Sequence, residues 1–371
     1  MRIGFDAKRA FNNFTGLGNY SRDTIRILSS FYNENDYFIY TPTAKLNQRL
    51  KFLENQSKIK IRSPKKILDK LFSAFWRTKN IINDLKKDNL DIYHGLSHEL
   101  PIGIENTNIK SIVTIHDLIY LRYPNLFPSI DSKIYDKKFR SACKRANKII
   151  TVSLQTKKDI INYFSISEDK IEVVYQGCNE VFKKKINKKE LIRNKLQLFE
   201  KYLLYVGSIE ERKNLITLLE VLNDLPNKNL IIIGDGTSYK KKCMNFIRDN
   251  NLSNRTKILS GLSLNDMASI YQNAEMLVYP SIFEGFGIPI LEALFSKIPV
   301  ITSKGGCFSE AGGPDSIYID PLSKNDIIEA INKIDTNAEI REKMIRSGFK
   351  YAQNFNDENI ANNLMKIYNS L

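Results

Sequence analysis

The sequence predicts an α/β protein made of two doubly wound parallel-sheet domains. Three observations carry the prediction. Short apolar runs, several apolar at consecutive positions, alternate with longer segments of helical period, which suits strands buried on both faces of a parallel sheet. The alternation stops in a charged, poorly patterned stretch and then restarts. The chain has 371 residues, more than the roughly 250–300 at which one hydrophobic core stays single.

In the first series the predicted strands are Arg2–Asp6, Tyr37–Tyr40, Lys58–Arg62, Asp91–His94, Ser111–His116, Lys148–Val152 and Ile171–Tyr175, rich in Ile, Val and Tyr. Helical stretches such as Asn19–Phe31, Asp131–Ala146 and Leu154–Phe164 lie between them. Residues 1–178 form the first predicted domain. Residues 179–200, with Lys183-Lys184-Lys185 and Lys188-Lys189, read as a linker. The second domain, 201–355, repeats the alternation with Tyr202–Val206, Asn229–Ile233, Lys257–Leu259, Met276–Tyr279, Pro299–Thr302 and Ser316–Ile319. A last helix over 356–371 carries Ile360, Leu364 and Ile367 at helical spacing.

Composition narrows the function classes. Apolar residues at 42% and charged residues at 26% exclude a disordered or collagen-like chain. The net charge of +15 points to an anionic partner, and it is uneven: residues 1–180 hold 30 basic against 19 acidic side chains. Cys143, Cys178, Cys243 and Cys307 lack C-x-x-C spacing, so they read as buried thiols of a reducing compartment. The chain opens directly on a strand and has no apolar run of about 18 residues, so the expectation is a cytoplasmic protein without leader or spanning helix.

Doubly wound sheets bind ligands beyond the carboxyl ends of their strands, so chemistry is sought there. After the first strand, Thr15-Gly16-Leu17-Gly18-Asn19-Tyr20 opens a helix: either Gly16 and Gly18 expose amides to an anion, or they make a plain turn. The third glycine of a dinucleotide fingerprint is missing, which disfavours hydride chemistry. His116 ends the fifth strand; it either meets a substrate hydroxyl or is satisfied by main-chain carbonyls. His94 and His98 read as loop histidines rather than zinc ligands, and no Asp-x-Asp occurs to hold a divalent ion.

In the second half, Gly207-Ser208 leads to Arg212-Lys213-Asn214 at a helix start, either a diphosphate clamp or a solvated loop. Gly234-Asp235-Gly236 is a tight turn after the next strand. The most informative segment is Tyr279-Pro280-Ser281-Ile282-Phe283-Glu284-Gly285-Phe286-Gly287-Ile288-Pro289-Ile290-Leu291-Glu292-Ala293. A strand ends, glycines turn the chain, and Pro289 sits where a helix would begin. The amides around Phe286–Ile288 then form the positive end of a helix, with two carboxylates at different heights able to accept from one polyhydroxylated ligand.

This segment resembles the Glu-x7-Glu mark of retaining glycosyltransferases of the GT-B class, family 4, with Glu284 and Glu292 as its carboxylates. The resemblance spans the chain, through the glycine loop at 15–20, Thr114–Leu118, Thr151-Val152-Ser153, Val206-Gly207, Arg212–Asn214, Gly234–Gly236 and Gly261. It implies two Rossmann-like domains facing across a cleft, the second holding a UDP- or GDP-linked sugar, and the last helix crossing back to the first. Arg212 and Lys213 would hold the diphosphate, Glu292 the ribose, and Glu284 with the Phe286-Gly287-Ile288 backbone the transferred sugar. His116 would bind a sugar hydroxyl near the reacting carbon, Gly16 would approach the diphosphate, and the base would lie near Gly234 and Gly261-Leu262. Ser208 replaces an arginine common in the family, and Arg212 is expected to supply the missing charge.

The expected reaction moves a mannose-like or other hexose, with retention and without metal or cofactor, onto a glycan or lipid-linked saccharide of a bacterial surface polymer. Two patches, Lys65-Lys66-Lys70 with Phe72, Phe75 and Trp76, and Lys137-Lys138-Arg140-Lys144-Arg145, suit an anionic membrane on its inner face; a solvated lysine-rich surface is the alternative. No nucleic-acid motif accompanies the charge. An epimerase or phosphorylase of the same fold, or a non-catalytic nucleotide-sugar-binding subunit, remains the other reading.

Overall fold

The computed structural model describes residues 1–45, 48–54, 56–186 and 189–371. They form two compact units, Met1–Gly177 with Phe355–Leu371, and Cys178–Asn354. Seven parallel strands make the sheet of the first unit: β1 (Arg2–Asp6), β2 (Asp36–Tyr40), β3 (Ile59–Arg62), β4 (Ile92–Gly95), β5 (Lys110–Ile115), β6 (Lys148–Thr151) and β7 (Ile171–Val173). Their order is β3-β2-β1-β4-β5-β6-β7. Six more make that of the second: β8 (Leu203–Val206), β9 (Leu230–Ile233), β10 (Thr256–Leu259), β11 (Met276–Tyr279), β12 (Val300–Ser303) and β13 (Ile317–Ile319), in the order β10-β9-β8-β11-β12-β13. Both are doubly wound, as the strand runs predict.

The burial of each strand explains its composition. β8, β9, β11 and β12 are buried at every position, with helices covering both faces; the first three are continuous apolar runs, and β12 ends in the buried Thr302 and Ser303. The edge strands β3 and β10 are only partly buried and tolerate Lys60, Arg62 and Lys257, charges that discourage edge-to-edge pairing. In each sheet the order reverses beside the first strand, between β1 and β4 and between β8 and β11. Connections leave these paired strands toward opposite faces, opening a crevice at their carboxyl ends.

The last helix, Asp357–Asn369, is capped by Asn356, whose side chain accepts from the Asn359 amide. It buries Ile360, Leu364 and Ile367 in the first unit. Arg26 pairs with Asp357 at 2.8 Å, and the Tyr32 hydroxyl donates to Asn362 at 2.8 Å. The stretch read as a linker holds short helices at Glu180–Lys183 and Lys189–Lys195 and clusters with the second unit. Gln272 accepts there from the Ile186 amide and donates to the Lys184 carbonyl. Lys188 of the expected linker lies outside the described residues.

Candidate active site

In the second unit the crevice lies between the loops that follow β8 and β11. After β8 the chain passes Gly207 and the exposed Ser208, whose hydroxyl donates to Glu210, into a short turn over Glu211–Lys213. Asn214, in the left-handed region, ends that turn and starts the helix Leu215–Asp224. A Cβ at Gly234 would sit 1.9 Å from the Gly207 carbonyl oxygen, so the loops after β8 and β9 pack backbone to backbone and only glycine fits. Leu262, after β10, is half-buried.

After β11 the loop carries Glu284 into the crevice. Its Oε1 accepts from Lys213 Nζ at 2.6 Å, Arg212 Nη1 at 2.9 Å, the Tyr279 hydroxyl at 3.0 Å and the Ser281 hydroxyl at 2.5 Å. Burial alone would raise this carboxyl, but the Lys213 and Arg212 charges more than offset it and hold it at about 2. Lys213 is itself buried, and desolvation pulls its ammonium below the usual lysine range against the opposing pull of Glu284. Arg212 also donates to the Phe283 carbonyl and pairs with Glu210 at 2.6 Å. Arg212 thus stands beside the carboxylate, where Ser208 does not reach.

The helix Ile288–Phe295 begins directly after this loop. Gly287, at φ 110°, supplies the left-handed N-cap, and Pro289 occupies the first turn, where its missing amide proton costs nothing. Glu292 lies one turn further on, buried, and accepts from the Tyr271 hydroxyl at 2.7 Å. Phe286 is buried and Ile288 half-buried. The Cys307 thiol lies 3.2 Å from the Glu284 carbonyl and 3.1 Å from that of Phe286, bracing the loop between them. Cys307 is a buried thiol, as its spacing predicts, and it adds this contact to its packing.

In the first unit, His116 follows β5 directly. Its Nε2 donates to the Leu96 carbonyl at 2.9 Å, so Nδ1 is the acceptor for the Gln176 amide at 3.0 Å. Burial, with His98 beside it, depresses the imidazole to about 3, so it is neutral at physiological pH. His94 is not in a loop: it lies in β4, with Nδ1 2.6 Å from the Tyr368 hydroxyl and Nε2 2.8 Å from that of Thr114. It ties the last helix to the sheet. His98 stacks on Phe139 at 4.2 Å. Among the described residues, no group of three His, Cys, Asp or Glu side chains is placed to hold a metal ion.

Two family models match the chain: "Glycosyltransferase Family 4" over residues 15–181 and "Glycosyl transferases group 1" over residues 187–351. The chain belongs to family 4 of the GT-B glycosyltransferases. The O-antigen chain mannosyltransferase RfbU of Salmonella typhimurium is 29% identical over 71% of this chain and 69% of its own. The O-antigen chain mannosyltransferase B of Escherichia coli is 25% identical over all of both chains. Among solved structures, Anabaena HepE in complex with UDP-glucose superposes with a TM-score of 0.79 at 16% identity, covering both chains fully.

In this glycosyltransferase the two glycines of the 15–20 loop have different duties. A Cβ at Gly18 would fall 1.9 Å from the Asn13 carbonyl oxygen, a packing constraint. A Cβ at Gly16, at the start of the helix Gly16–Phe31, would meet nothing within 4 Å. Gly16→Ala is therefore expected to leave stability within about 0.5 kcal/mol while weakening nucleotide-sugar binding, the result that separates anion approach from a plain turn. Calorimetric titration beside thermal unfolding checks it. Tyr271, Tyr279, Ser281 and Gln176 are partners that motif spacing did not single out. Tyr279 and Ser281 open the informative segment, but their roles as partners of Glu284 come only from the structure.

Proposed function

We propose that this glycosyltransferase moves a hexose, mannose or a related sugar, from a UDP- or GDP-linked donor to a lipid-linked saccharide of a bacterial surface polymer. Transfer proceeds with retention and needs neither metal ion nor cofactor. The observation that carries the reading is the cluster of Glu284, Arg212 and Lys213 at the start of the Ile288–Phe295 helix. A buried lysine and a half-buried arginine at a helix start form an anion site, and a donor diphosphate would draw both toward itself.

Each role follows from this charge balance. Arg212 and Lys213 stabilise the diphosphate as it leaves, the work a metal does elsewhere. Glu284, released in part from its cations, accepts from a hydroxyl of the transferred sugar. Glu292, oriented by Tyr271, accepts from the ribose. His116 meets a sugar hydroxyl by exchanging it for the Leu96 carbonyl or the Gln176 amide. No carboxylate is assigned as nucleophile, so the acceptor attacks on the face from which the diphosphate departs, without a glycosyl-enzyme intermediate.

The mannosyltransferase names of the relatives support a hexose, and the UDP-glucose complex of HepE supports a nucleotide-sugar donor. Incubation with UDP- and GDP-hexoses and a lipid-linked saccharide tests the reading. A new glycoside and free nucleotide diphosphate are expected; an epimerised donor with acceptor untouched overturns it.

A further inference from the structure

We propose that residues 65–75 dock the first unit onto an anionic lipid bilayer. Ile67, Leu68, Leu71, Phe72 and Phe75 are exposed by 75, 69, 71, 64 and 53%. Single exposed apolar side chains are ordinary; five large ones within nine residues make a patch that calls for a partner. The helix Ile67–Leu71 buries none of its own residues.

This segment is held firmly from beneath. Trp76 is buried, and its indole N–H donates to Asp84 at 2.8 Å. Arg77 pairs with Asp6 at 2.8 Å and Glu99 at 2.7 Å. Asn80 donates to Asp69, the one acidic side chain among residues 65–80. Trp76 therefore does not belong to the surface patch, contrary to the expectation from sequence. The anchored backbone presents its apolar side chains outward, and the surface continues at the exposed Ile102, whose amide donates to the Thr78 carbonyl at 2.7 Å.

Charge identifies the partner. Lys65, Lys66, Lys70 and Lys79 are exposed and form no ion pair among the described residues. Apolar side chains that enter the acyl boundary, beside lysines that meet phosphate headgroups, form the pattern of an interfacial membrane segment. A second copy would set lysines against lysines. The other basic run is differently occupied: Lys138 pairs with Glu99, Arg140 with Asp136, and Arg145 donates to the Leu100 carbonyl. Those charges hold the first unit together, so docking centres on 65–75.

The docking deepens the reading of a lipid-linked acceptor and rests on it for its purpose, but vesicle binding is measured without donor or acceptor. Flotation of the full chain with vesicles of neutral phosphatidylcholine, or containing anionic phosphatidylglycerol, tests it. Binding to the anionic vesicles is expected, reduced at least about tenfold by Leu68→Asp with Leu71→Asp and Phe72→Asp, and likewise by Lys65→Glu with Lys66→Glu and Lys70→Glu. These exposed substitutions should leave the unfolding temperature unchanged. Equal flotation of wild type and folded variants overturns the proposal, as does equal binding to neutral vesicles. Self-association abolished by the apolar substitutions, without vesicle binding, assigns the face to a second copy and also overturns it. Failure of glycosyl transfer with intact flotation would strike only the acceptor reading.

Discussion

Glu284→Gln is expected to lower turnover by two to three orders of magnitude, roughly the cost of removing one preorganised charged group from an active site. Glutamine keeps the shape and can still accept from Ser281 or Tyr279, but it cannot balance Arg212 and Lys213. Stability should fall by about 3 kcal/mol, since the buried Lys213 and half-buried Arg212 lose the carboxylate between them. Donor affinity should hold or rise, because those cations become more available to a diphosphate. Steady-state kinetics with a denaturation curve checks the split; a variant with normal turnover and weakened donor binding would contradict the role given to Glu284.

Lys213→Met is expected to act in the opposite way on the donor. Methionine fills the space of the buried stem without the charge. The diphosphate loses one of two cations, and donor affinity should fall by about 10- to 100-fold, the usual effect of removing a buried charged partner. The same substitution changes the acid response. Glu284 is held at about 2, below an unfolded glutamate near 4.3, so it contributes stability present above that value and lost as pH falls toward 2. Without Lys213 the folded value rises, the contribution shrinks, and stability at neutral pH falls. Calorimetric titration with donor and unfolding between pH 2 and 7 read both effects.

The sheets were legible because a strand buried on both faces must be a continuous apolar run, and Leu203–Val206 and Leu230–Ile233 are such runs. The Glu284–Glu292 segment was legible because glycine, proline and a carboxylate pair rarely coincide without a reason in backbone geometry. What spacing does not carry is contact between distant loops. Cys307 and Tyr271 reach the site only because β12 and the helix Leu264–Asn273 pack beside β11 and its helix. Gln176 finds His116 from 60 residues away. Trp76 misled for a local reason: the helix breaks at Phe72 and widens into a π turn over Trp76–Asn80, which takes the indole off the outward stripe. His94 ends the expected strand Asp91–His94, but its bonds to Tyr368 and Thr114 join residues 274 and 20 positions apart, which spacing does not carry.

The central claim is that Arg212, Lys213 and a helix start, without metal, drive retentive transfer from a nucleotide sugar. Proton NMR of the first product formed from an α-linked nucleotide hexose and the lipid-linked acceptor, with chelator present throughout, measures it most directly. The account predicts an α-glycoside formed at an undiminished rate; a β-glycoside, or a rate abolished by chelator and restored by a divalent ion, would contradict it.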